Sequence, residues 1–117
     1  MAGSVVTIYH NPRCSKSRRT LEMLRENGVE PNIVEYLKTP PDKAALQEIT
    51  KMLGVNAEQI VRKGEDTFKQ NFAGRALSED QWLEALVRHP VLIERPIVVK
   101  GTQAVLGRPP ENVLDLL

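Results

Sequence analysis

The chain has 117 residues, 41% of them hydrophobic and 26% charged, with a formal net charge of +1. That length suits one compact domain with a core of its own, and the near-balance of charge excludes a global field for nucleic acid or an anionic membrane. A single cysteine excludes an internal disulfide, and with only two histidines, His10 and His89, there are too few ligands for a structural zinc site.

No apolar run approaches the roughly 20 residues of a membrane span. Met1 to Ser4 (MAGS) has neither a basic region nor a long apolar stretch, so no signal peptide is expected and the expected location is the cytoplasm. Residues 5–9 (VVTIY) are β-branched and aromatic and read as a strand. Asn11-Pro12 breaks it. Residues 15–27 read as a helix with Leu21 and Leu24 on one face and Gly28 as its stop. Residues 32–36 (NIVEY) read as a second strand.

Thr39, Pro40, Pro41 and Asp42 predict a helix with Thr39 as N-cap, placing Leu46, Ile49 and Leu53 on one face and ending at Gly54. Asn56 opens a shorter helix reaching Arg62. Ser78 and Gln81 form a capping box for a helix to about residue 88, with Trp82 in its core. Residues 97–100 and 104–106 predict a hairpin around Gly101, and Pro109-Pro110 starts a short last helix. The order β-α-β, helices, β-β, α predicts an α/β chain of one domain. Its first β-α-β is a right-handed parallel unit and its last two strands pair antiparallel. The result is a small mixed four-stranded sheet flanked by helices on both faces, with a helical insertion over 42–88. That order matches a thioredoxin-like fold.

Cys14 stands where the first strand gives way to the first helix. The leading N–H groups of a helix have no intrahelical partner, and the macrodipole adds positive charge there. No acid lies between Val5 and Leu21, whereas Arg13, Lys16, Arg18 and Arg19 do. Such a field favours the thiolate and also holds a tetrahedral oxyanion. His10 either supplies a further positive charge or only hydrogen-bonds the turn. Asn11 can brace the loop in an Asx turn. Ser15 and Ser17 fall in the first turn, where hydroxyls cap.

The stretch Cys14-Ser15-Lys16-Ser17 lacks the second thiol of a dithiol reductase, so an external thiol must resolve any adduct on Cys14. Thr20, not Arg, stands six residues after Cys14, which counts against a tyrosine-phosphatase loop.

Residues 10–18 (HNPRCSKSR) closely resemble the active-site loop of the glutaredoxin-dependent arsenate reductase family. The resemblance continues in order through 35–41 (EYLKTPP), 60–63 (IVRK), 89–99 (HPVLIERPIVV) and 107–110 (GRPP), nearly the whole chain. It implies a thioredoxin-like fold and reduction of arsenate to arsenite, with Cys14 as nucleophile and His10 beside it. It also implies oxyanion contacts from Arg62, Arg95 and Arg108, with Ser15 in the loop and Asn11, Ser17 and Pro96 in support. Pro96 falls where thioredoxin-like folds carry a cis-proline facing the nucleophile. Glutathione is the implied co-substrate and glutaredoxin the partner, with no metal or bound cofactor, no nucleic acid or membrane contact, and a monomer expected.

Some members carry glycine where this chain has Ser15. Longer members continue past Leu117 with a polar tail, and its absence here fits an expected subgroup whose substrate is not arsenate. Two other readings stand beside this one. One is a reductase or thiol-transfer protein for a different substrate. The other is an RNA-polymerase-binding regulator of a related thioredoxin-like group, whose usual Cys-x-x-Cys switch this chain lacks at Ser17.

Overall fold

The computed structural model describes residues 5–117, so the reading of Met1 to Ser4 lies outside the described residues. The chain divides into two compact units: one runs up to Thr39 and resumes over Arg95–Leu117, the other is Pro40–Glu94. The segment expected as a helical insertion over about 42–88 falls within the second unit, which is compact in its own right.

The first unit is a four-stranded mixed sheet. Its strands are β1 (Val6–His10), β2 (Asn32–Glu35), β3 (Ile97–Lys100) and β4 (Gln103–Leu106), in the spatial order β2-β1-β3-β4. β2 runs parallel to β1, with Ile8 beside Ile33; β3 runs antiparallel to β1, with Ile8 opposite Val98; β4 closes the hairpin, with Val98 opposite Val105. The strand period of two turns Val6, Ile8 and His10 inward. The third inward position thus carries an imidazole where an aliphatic side chain would continue the pattern.

Between β1 and β2 runs helix α1 (Ser15–Glu26). It buries Ser17, Thr20, Met23 and Leu24, a stripe at helical spacing whose first half is polar and whose second half is apolar. Leu24 is buried as expected, while Leu21 is only half-buried. Met23 and Leu24 join Val6, Ile8, Val98, Val113 and Leu116 in one cluster, so α1 and the C-terminal 3₁₀ segment Pro110–Leu116 share one face of the sheet. Fully burying a leucine in such a cluster contributes about 1.5–3 kcal/mol. Gly28 ends α1 as expected. At φ 79° it donates to the Arg25 carbonyl, and Val29 donates to Leu24, the paired closure that a left-handed residue permits.

The second unit is helical. Its helices are α2 (Lys43–Leu53), α3 (Asp66–Asn71) and α4 (Glu79–Arg88). Asp42, not Thr39, caps α2: its carboxylate accepts the Ala45 N–H at 2.8 Å. A residue before proline avoids helical ψ, so the helix cannot begin until Pro41 is passed. The expected helix from Asn56 to Arg62 is a 3₁₀ turn, Ala57–Ile60. It stops because the backbone next pairs sideways, with Val61 bridging Ile93, Arg62 N–H donating to Leu92 and Glu94 N–H to Ile60. The Ser78–Gln81 capping box holds, and α4 buries Trp82, Leu83, Ala85 and Leu86. Trp82 is core, stacked on Phe68 at 6.2 Å and tilted against Phe72 at 6.1 Å.

Candidate active site

The loop between β1 and α1 is closed by its own polar groups. Asn11 Oδ1 accepts the Arg13 N–H at 3.0 Å, the expected Asx turn, and Cys14 N–H donates to the Asn11 carbonyl at 3.0 Å. Arg18 adds a strap, its Nη1 donating to the Pro12 carbonyl at 2.9 Å. Cys14 is the N-cap of α1, extended at φ −93° and ψ 123°, and its carbonyl takes the first helical bond from Arg18. Its thiol is half-buried and makes no capping hydrogen bond, and the first turn holds no acid. Cys14 thus stands at the positive end of the α1 dipole, with no carboxylate in the first turn.

His10 is buried, with 6% of its surface exposed. Its Nδ1 lies 2.7 Å from Ser17 Oγ, which also accepts the Asn11 N–H at 3.0 Å. The Ser17 hydroxyl thus ties the ring to the backbone of the turn. Burial holds His10 below its usual 6.5, the Glu35 carboxylate opposing this and the Arg18 and Arg25 charges reinforcing it. Of the two readings of His10, the structure carries the second: the ring braces the turn through Ser17. Ser17 is accordingly a buried bridge rather than a cap. Ser15 is exposed at the first helical position.

The segments around Pro96 and Gly107 meet α1 in a tight contact at Thr20. The Arg95–Pro96 bond is cis, as the fold predicts, and Arg108–Pro109 is cis as well. Gly107 N–H donates to the Pro96 carbonyl at 2.8 Å. A Cβ on Gly107 would lie 2.7 Å from both Pro96 Cγ and Thr20 Oγ1. Only glycine fits, and this packing ties the two segments carrying Arg95 and Arg108 to the buried face of α1. Arg108 Nη1 reaches the Arg95 carbonyl at 3.5 Å. Arg95 Nε is buried with no hydrogen-bond partner among the described residues.

Arg62 belongs to the helical unit. Its guanidinium is half-buried and held by Glu65 at 2.7 Å and Glu94 at 3.6 Å. The structure thus gathers His10, Asn11, Cys14 and Ser17 in one loop, and joins Arg95, Pro96 and Arg108 to α1 through Gly107. Sequence reasoning missed Thr20, Gly107 as a contact, and the strap from Arg18. Ser17 and Thr20 carried a signal, as small polar residues on the stripe that continues as Met23 and Leu24. Among the described residues, no three His, Cys, Asp or Glu side chains stand close enough to hold a metal ion.

Residues 9–116 match the ArsC family. The chain is 54% identical over 114 residues to the uncharacterized Escherichia coli K12 protein YfgD, covering 96% of each. It is 44% identical to an arsenate reductase of Rhizobium meliloti, covering 96% of this chain and 81% of that one. Among solved structures it superposes on an arsenate reductase from Vibrio cholerae with a TM-score of 0.94 and 44% identity, covering 99% of this chain and 100% of that one.

Proposed function

The chain belongs to the ArsC family, and on that premise we propose that it reduces arsenate to arsenite through a covalent adduct on Cys14. The observation that carries the reading is the placement of Cys14. It caps a helix start with no acid in its first turn, and the same helix packs through Thr20 on the Pro96–Gly107 contact that carries Arg95 and Arg108. The buried, unpartnered Nε of Arg95 supports it, since such a donor is costly unless an acceptor arrives.

In this mechanism Arg95, Arg108 and the leading amides of α1 hold the oxyanion, with Ser15 at the rim. Planar guanidinium forks suit tetrahedral oxygens better than ammonium groups do. The Cys14 thiolate attacks arsenic, an S–As bond forms, and one arsenate oxygen leaves as water with a proton. Glutathione thiolate then attacks Cys14 Sγ. A sulfur–sulfur bond forms, the S–As bond breaks, and its electron pair goes to arsenic, which passes from As(V) to As(III) while the two thiols are oxidised. A glutaredoxin thiol takes the glutathionyl group and restores Cys14. No metal or bound cofactor enters. A glutathione-dependent step needs a reducing compartment, and the cytoplasm is the proposed location.

Arg62, the third arginine of the resemblance, enters the proposal as an oxyanion contact already neutralised by Glu65 and Glu94. That neutralisation favours a second reading, in which the same sulfur chemistry serves an acceptor less charged than arsenate. A coupled assay following NADPH oxidation with glutathione, glutaredoxin and glutathione reductase separates the two. Arsenate-dependent turnover is expected, and Cys14→Ser is expected to lower it at least about 10³-fold with unchanged circular dichroism. Substantial arsenate reduction by the folded variant would end the mechanism. No turnover by the wild-type chain would move the assignment to the second reading.

A further inference from the structure

The helical unit carries an open cleft of about 180 Å³ between the turn after α3 and one face of α4, with Arg75, Gln81, Arg88 and His89 among its walls. We propose that this cleft binds a small phosphate monoester, a dianionic head carrying a compact apolar group, separately from the chemistry assigned to Cys14.

The walls follow from local patterns. Gln81, Glu84, Ala85 and Arg88 stand three, one and three residues apart, positions that share one face of α4. The other wall is the turn after α3. There Phe72 and Ala73 N–H both donate to the Phe68 carbonyl, Gly74 takes φ 75°, and Arg75 N–H donates to the Phe72 carbonyl at 3.1 Å. That closed turn sets Phe72 and Arg75 on the cleft. Two further rings hold Phe72 in place, Trp82 at 6.1 Å and His89 edge-on at 5.7 Å.

The donors at the cleft outnumber its acceptors, and most are uncommitted. Arg88 makes no hydrogen bond or ion pair among the described residues. Arg75 uses Nη1 on the Asn71 carbonyl at 3.2 Å, which steadies its head and leaves Nε and Nη2. Gln81 turns Oε1 to the Ser78 N–H at 2.9 Å, so its amide N–H groups remain. His89 carries at least one ring N–H in either tautomer. The carboxylate of the lining, Glu84, has the Lys43 ammonium at 3.7 Å. Guanidinium forks suit tetrahedral phosphate oxygens, and charge-assisted bonds are about twice as strong as neutral ones. Phe72, Leu77 and Ala85 supply an apolar floor for the ester group. The cleft is smaller than the roughly 300–1,000 Å³ of drug-sized pockets, which limits that group to a compact one. Another cleft of this unit, about 340 Å³, sets Lys51 against Glu79 and so has no net charge to draw an anion.

The test titrates phenyl phosphate into the ¹⁵N-labelled wild-type chain at about pH 7.5, where the phosphate is largely a dianion, and reads the amide shifts residue by residue. Saturable shifts are expected over residues 72–89. Arg88→Gln and Arg75→Gln are each expected to weaken that isotherm by about tenfold or more, and benzoate and inorganic phosphate are both expected to bind more weakly than phenyl phosphate. Arg25→Gln, an equal charge change on the sheet unit, is expected to leave it unaltered. Arg75 stands in a loop, so its variant carries the test should Arg88→Gln unfold. Shifts confined to residues 11–20 would place the anion at the Cys14 loop instead and overturn the inference. So would no saturation over 72–89, equal weakening by Arg25→Gln, or benzoate or inorganic phosphate binding as tightly as the ester.

Discussion

The two units bury polarity differently. Among the described residues, the sheet unit encloses His10, Ser17 and Thr20 as its buried polar residues, while the helical unit encloses Thr50 and otherwise buries aliphatic and aromatic side chains such as Leu46, Ile60, Trp82 and Leu86. The enclosed polar groups of the sheet unit are bonded to one another or to backbone next to Cys14, so that unit holds a chemical geometry as well as a core. A buried polar group gains little net stability when paired and costs much when its partner is lost. The same contrast appears in the arginines. Arg95 keeps a buried Nε without a partner, whereas Arg62 is held by two carboxylates.

The contrast can be broken most strongly in the helical unit. Leu86 is fully buried in α4, and Leu86→Ala is expected to cost about 2–5 kcal/mol in urea unfolding. A loss under about 1 kcal/mol would show that this core is loosely packed. Next comes Gly107→Ala, whose methyl meets Pro96 and Thr20. Overpacking there is expected to cost about 1–3 kcal/mol and to raise KM for the oxyanion, because the segments of Arg95 and Arg108 must shift. Stability lost with KM unchanged would separate that contact from the site.

The smallest effect is the pH dependence of His10. Its folded value lies below the 6.5 of the unfolded chain, so on acidification the unfolded state takes the proton first. This contribution to stability is complete above about pH 6.5 and is lost as pH falls through that value toward the folded one. Unfolding free energies of wild type and His10→Gln at about pH 7.5 and about pH 5.5 are expected to show the steeper fall in wild type, by about 1 kcal/mol or less. Equal slopes would mean that His10 is not held neutral.

Much of this was legible along the chain. β1, the span and stop of α1, the Ser78 capping box and the closing hairpin all announce themselves by short-range patterns, and each stands within a residue or two of its expected place. The readings that needed revision failed for two reasons, one local and one long-range. Thr39 gave way to Asp42 as cap because two prolines intervene, and the helix from Asn56 stopped at Ile60 because Ile93 and its neighbours, distant in sequence, took up the backbone. α3 went unread: it is six residues long and buries none of them, so it leaves little periodicity to detect.

For the site, the sequence by itself fixed a lone cysteine at position 14, its acid-free surroundings and the lack of a second thiol at Ser17, because these depend on neighbours within a few residues. Only the tertiary structure decided that His10 is buried with its ring against Ser17, that Gly107 locks Pro96 to Thr20, and that Arg62 is already matched by Glu65 and Glu94. Burial, close packing and ion pairing depend on groups brought together across the chain, and no local pattern records which partner arrives.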